Sequence, residues 1–123
     1  MISKIYNLFL KNLFDIKGRA NRKEYIIRFT TMWVLGFFTN YMRNIYYLYN
    51  NILVGLFFAF MCIIFMIYAI QVFFVTHRRL HDLNASGWWQ LVTFIPFGQL
   101  LMIGFIFFKG TQGINKYGEP PTY

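Results

Sequence analysis

The chain has 123 residues, 58% of them hydrophobic and 23% aromatic, with only 13% charged. That charged share is about half of what water-soluble domains carry, which argues against an ordinary soluble fold. The formal net charge of +8 suits nucleic acid, a membrane surface or an acidic partner. Apolar runs between the charges decide for the membrane and against nucleic acid.

Residues 2–14 open the chain with Ile2, Ile5, Tyr6, Phe9 and Leu13 in one stripe, opposite Lys4, Lys11 and Asp15. This spacing predicts an amphipathic helix, lying in the headgroup plane or packed on the bundle. The segment lacks a continuous apolar core and a small-residue cleavage site, so it does not read as a secretory signal. The first spanning helix is expected to act as an uncleaved insertion signal. Gly18 ends the segment, and Asn21 followed by Glu24 three residues on predicts a helix start.

A first crossing is expected over roughly residues 25–42, with Arg28 one turn inside it and snorkelling to the headgroups. Residues 44–51 then read as a connection whose Tyr46, Tyr47 and Tyr49 suit the membrane–water boundary. The run Ile52–Val75 contains no Asp, Glu, Lys or Arg. As a helix it reaches roughly 36 Å, enough for a hydrocarbon layer of about 30 Å. It holds the one cysteine, Cys62, read as a small hydrophobe that has no disulfide partner in the chain. Gly55 and Ala59 are four apart and permit close helix packing, within the chain or between copies.

The first half of residues 76–87 can continue that helix, and Asn84-Ala85-Ser86-Gly87 reads as a turn. Residues 88–108 are again uncharged, with Trp88 and Trp89 at an interfacial entry and Pro96 and Gly98 near the middle. They form either one kinked crossing or a re-entrant pair of short helices. A tail rich in Gly, Pro and Asn follows from residue 109. The expected class is therefore all-α: an integral membrane helical bundle of about three transmembrane helices plus the amino-terminal amphipathic helix. It forms a single domain, 1–123, divided into a basic segment (1–24), membrane helices (25–108) and a polar tail (109–123). Residues 1–28 hold seven Lys and Arg and the connection after the first crossing holds one, Arg43, which places the amino terminus in the cytoplasm. Three simple crossings leave the tail outside; a re-entrant last segment returns it.

Three stretches together resemble one family. They are Phe14-Asp15-Ile16-Lys17-Gly18-Arg19-Ala20-Asn21-Arg22-Lys23-Glu24-Tyr25; Arg78-Arg79-Leu80-His81-Asp82 continuing through Ser86-Gly87-Trp88-Trp89; and Gly110-Thr111, Gly113, Asn115, Tyr117-Gly118 and Pro120. In order and spacing they resemble domain of unknown function 805, small bacterial inner-membrane proteins. The resemblance covers nearly the whole chain and implies a multi-helix protein of the bacterial inner membrane, with no activity to carry over. It also implies that the three polar stretches meet, which favours the re-entrant last segment.

The candidate site is a cytoplasmic-side polar cluster. Arg19, Arg22, Lys23, Arg78 and Arg79 are the candidates for contacting an anion or lipid headgroup, because guanidinium forks match phosphate and carboxylate. Glu24, His81, Asp82, Asn115 and Tyr117 are the candidate polar partners. If the helix continues past Thr76, His77 faces His81 and Arg78 faces Asp82 at i,i+4, and Glu24 or Asp82 pairs with an arginine while another guanidinium stays free. The histidines have ligand spacing, but Arg78 and Arg79 beside them oppose a metal ion, so no metal, cofactor or catalytic residue is assigned. No phosphate-binding loop or nucleophile motif is present. The favoured function is a non-enzymatic membrane component whose basic surface contacts anionic lipid or a protein partner. The alternatives are a membrane-embedded enzyme or anion-binding protein using the His81, Asp82 and arginine cluster, and an oligomeric transporter or channel component.

Overall fold

The computed structural model describes residues 14–122. Within them the regular elements are helices: α1 (Arg22–Tyr49), α2 (Ile52–Asp82), a 3-10 helix (Gly87–Phe94) and α3 (Gln99–Phe107). A single β-bridge joins Asn115 to Gly118 in the tail. The amphipathic helix expected at 2–14 lies, except for Phe14, outside the described residues. Phe14 itself meets Phe74 of α2 edge-on at 5.9 Å.

Asn21 caps α1 as its position suggests, its side chain accepting the Glu24 backbone N–H at 2.7 Å. The helix does not end near Met42. It runs through the tyrosines to Tyr49, so the connection expected over 44–51 shrinks to two asparagines. Asn50 adopts the left-handed conformation (φ 45°) and its N–H closes on Tyr46 O; Asn51 then caps α2, accepting from Leu53 and Val54 N–H. Asn is among the few residues that enter the left-handed region at low cost, and its side chain also competes well for helix-end donors. One residue type thus ends one helix and starts the next.

α1 and α2 pack along their length. The Tyr46 ring lies over Gly55 and stacks on Phe58 at 6.4 Å, and the Phe65 ring sits on Gly36. Gly55 therefore serves a contact inside the chain. α2 continues about two turns beyond the uncharged run to Asp82. Among the described residues it is the one helix both long and apolar enough to cross a membrane.

The third apolar stretch does not form one continuous helix. Its 3-10 helix of eight residues rises roughly 16 Å and α3, with nine, roughly 14 Å, both short of a ~30 Å layer. The break falls at Ile95–Gly98, where Pro96 lacks a backbone donor. Broken backbone of this kind is acceptable at membrane depth only where protein covers it.

Burial is distributed in the reverse of a soluble protein. The buried set holds Arg19, Glu24, Arg28, Arg78, Arg79 and Asp82, while Phe37, Phe60, Ile63, Met66, Phe94 and Phe97 stand exposed. Water would reward the opposite arrangement; hydrocarbon rewards this one, because a charge left facing lipid costs several kcal/mol.

Candidate functional site

The polar residues gather at one end of the α1–α2 pair, in two layers each built on a carboxylate. Glu24, in the first turn of α1, accepts Arg78 Nη2 from α2 at 2.7 Å and Arg28 Nη2 from its own helix at 3.2 Å. Asp82, at the end of α2, accepts Arg19 Nε at 3.0 Å and Nη2 at 2.8 Å on one oxygen, and Arg79 Nη1 on the other. All four arginines are 5% exposed or less.

The guanidiniums also tie down the rest of the chain. Arg79 Nε donates to Phe105 O at 3.2 Å and its Nη2 to Phe108 O. These carbonyls lie at the end of α3, where helical carbonyls lack partners and a cation is favoured. Arg19 donates to Gly113 O at 2.6 Å, to Gly118 O at 3.3 Å and to Thr111 O. In return Thr111 donates to Asp82 O through both its N–H and its hydroxyl, each at 2.8 Å. Gly110 passes so close to the Asp82 carboxylate that a Cβ there would overlap it. The amino-terminal segment, the end of α2 and the tail therefore meet at the same end of the bundle.

Beside Asp82, His81 stacks on Tyr117 with ring centroids 3.8 Å apart and planes 6° apart. Its Nδ1 lies 3.1 Å from Gly18 O, and since a carbonyl only accepts, that nitrogen carries hydrogen. Asn115 Nδ2 donates to His81 O at 2.9 Å. One turn back, His77 meets His81 edge-on at 4.7 Å and packs on Gly87 where no side chain fits; its Nδ1 faces Gln90 Nε2 at 3.2 Å.

Of the predicted site residues, Arg19, Glu24, Arg78, Arg79, His81, Asp82, Asn115 and Tyr117 come together in this assembly. Arg22 and Lys23 do not enter it; they stand exposed on the first turn of α1. Three expectations need correction. Arg78 pairs with Glu24 on the other long helix, and the local partner of Asp82 is Arg79 at i,i+3. Arg28 does not snorkel outward: it is 1% exposed and paired with Glu24. Arg19, Arg78 and Arg79 form no outer basic surface, since each is held inside. Thr111 and Gly110 also belong to the assembly; the sequence placed them in the third polar stretch but not among the candidate site residues.

Four guanidiniums share two carboxylates, so the assembly carries two surplus positive charges; Asp15 and Glu119, the remaining acidic side chains, are exposed. Among the described residues no three of His, Cys, Asp and Glu come together as a metal site. What the arrangement can do chemically is hold an anion near its positive field and lock three chain segments to one another.

Residues 13–119 match the family model described as Protein of unknown function (DUF805), which spans all three segments of the assembly. Inner membrane protein YhaI of Escherichia coli is 32% identical over 120 residues, covering 96% of this chain and 95% of that protein. Inner membrane protein YhaH of Escherichia coli is 36% identical over 125 residues, covering 94% of each. No solved structure matches the chain. With the family match, the near full-length relatives and the outward-facing apolar surface, the chain belongs to the DUF805 family of small bacterial inner-membrane proteins.

Proposed function

We propose that this protein is a multi-pass, non-catalytic inner-membrane component whose arginine-rich end faces the cytoplasm and binds an anionic group there. The observation that carries the reading is the charge balance: four buried guanidiniums against two carboxylates. Buried charge is costly unless compensated, and a surplus of one sign projects a field that an anion from outside relieves. Exposed Arg22 and Lys116 border the assembly closely enough to act electrostatically on Arg79 and His81, so they and Lys23 supply the contacts. The amino-terminal excess of Lys and Arg supports the cytoplasmic side. Phosphate is the favoured chemistry, from a lipid headgroup or a soluble ion.

The test is retention of phosphatidylglycerol over phosphatidylcholine by the purified protein, read by native mass spectrometry. Arg22→Gln combined with Lys23→Gln should lower that preference severalfold while the fold persists. Displacement by inorganic phosphate would assign the site to a free ion, and lack of displacement to the lipid. Equal retention of the two lipids by the unaltered protein, with no phosphate binding, refutes the reading.

A further inference from the structure

Below the arginine layer, α1, α2 and the broken third segment border a half-open cavity of about 450 Å³. Phe29 and Trp33 line it from α1, Val72 and Thr76 from α2, and Gln90 and Met102 from the segment that follows. Its volume lies in the range of small-molecule sites. Its walls are mostly apolar, and Trp33, a wall residue, is 58% exposed on the flank of the bundle, so the way in leads from hydrocarbon.

One polar feature of this cavity lacks an internal explanation. Gln90 is 3% exposed, its Nε2 is engaged with His77 Nδ1, and its Oε1 is buried with no hydrogen-bond partner. A buried amide oxygen without a donor costs about 1–3 kcal/mol, so such groups in folded proteins have a reason to persist. Leu at this position would have filled the wall at no such cost. Gln90 lines the cavity and its Oε1 is covered, so a donor in the cavity reaches that oxygen through a small rotation of the amide toward it.

We infer that the cavity binds a membrane-soluble molecule with an apolar body and a hydroxyl head, the hydroxyl donating to Gln90 Oε1. A hydrocarbon chain would fill the volume but leave the amide unsatisfied, and a charged head would meet no counter-charge among the lining residues. The same chemistry belongs to a long-chain isoprenoid alcohol and to a phenolic ring such as a quinol head. This inference does not rest on anion binding at the arginine end.

Trp33 provides the readout. With Trp88→Phe and Trp89→Phe, both at exposed positions, it becomes the only tryptophan of the chain. The purified protein in detergent would be titrated with geranylgeraniol, with a long-chain 4-alkylphenol, and with the methyl ether of each. A saturable change in Trp33 fluorescence is expected, with each ether binding roughly tenfold more weakly than its parent, the worth of about one hydrogen bond. The tighter of the two parents identifies the source as aliphatic or aromatic. Gln90→Leu should erase the difference between hydroxyl and ether, and Ala69→Phe, which fills the cavity from α2, should abolish saturation. Equal binding of parent and ether to the otherwise unaltered protein would overturn the assignment, as would a titration that never saturates.

Discussion

Arg79 shows how much one side chain of this protein can be asked to do. Its guanidinium joins Asp82, Phe105 O and Phe108 O through three separate nitrogens, a spread of donors that the single nitrogen of a lysine does not match. Arg79→Lys should therefore destabilise almost as much as Arg79→Gln, by on the order of 3 kcal/mol, because either change breaks a buried network. Thermal unfolding in detergent checks this, and a lysine variant that unfolds with the native protein would contradict it. Gly110 is the second sensitive point. A Cβ at that position meets the Asp82 carboxylate, so Gly110→Ala should release the tail and expose it to protease. The neighbouring Lys109→Ala, at an exposed position, should leave stability within about 0.5 kcal/mol of native and protease resistance unchanged.

At the level of elements, the α1–α2 hairpin depends on a turn of two residues. Because Asn50 is left-handed at φ 45°, Asn50→Gly should be tolerated, whereas Asn50→Val should cost about 1–2 kcal/mol. Denaturation of the two variants side by side is the measurement; equal stability would place the turn in another conformation. The same hairpin shows where sequence reading fell short. Tyrosines at 46, 47 and 49 marked the boundary composition, but composition does not say whether boundary backbone is helical or extended. The helix persists because its backbone donors and acceptors satisfy one another near the lipid. At Pro96 the opposite holds. The breaker was visible in the sequence, yet its consequence depended on whether Arg79 could take up the carbonyls at the end of α3.

For the whole molecule, the contacts of Arg19 with residues 111, 113 and 118 place the tail and the amino-terminal segment at one end. In a Cys62→Ala background, Lys17→Cys and Thr122→Cys should react with a membrane-impermeant maleimide from the same side. Under the proposed orientation that side is the cytoplasm. Labelling from opposite sides would contradict the fold, and labelling of both from the periplasm would contradict only the orientation. The polar interior also makes stability unusually dependent on ion pairs. Asp82→Asn leaves Arg19 and Arg79 without their carboxylate and should cost about 3–5 kcal/mol, measured by thermal unfolding in detergent.

The amino-acid sequence by itself determined the solvent and the class. An uncharged run from Ile52 to Val75 allows little but a helix in hydrocarbon, and the three polar stretches were recognisable as a set. It did not determine the pairing within that set. Glu24 and Arg78 are 54 positions apart and Arg19 and Asp82 are 63 apart, and no local periodicity encodes which guanidinium reaches which carboxylate. Nor did it place Arg28 inward, since a single arginine near a helix end has water as an alternative partner until a second helix covers it and the Glu24 of its own helix. Hydrophobicity is a sum over residues and survives in one dimension. Charge pairing is a property of distances, and those exist only once the helices have packed.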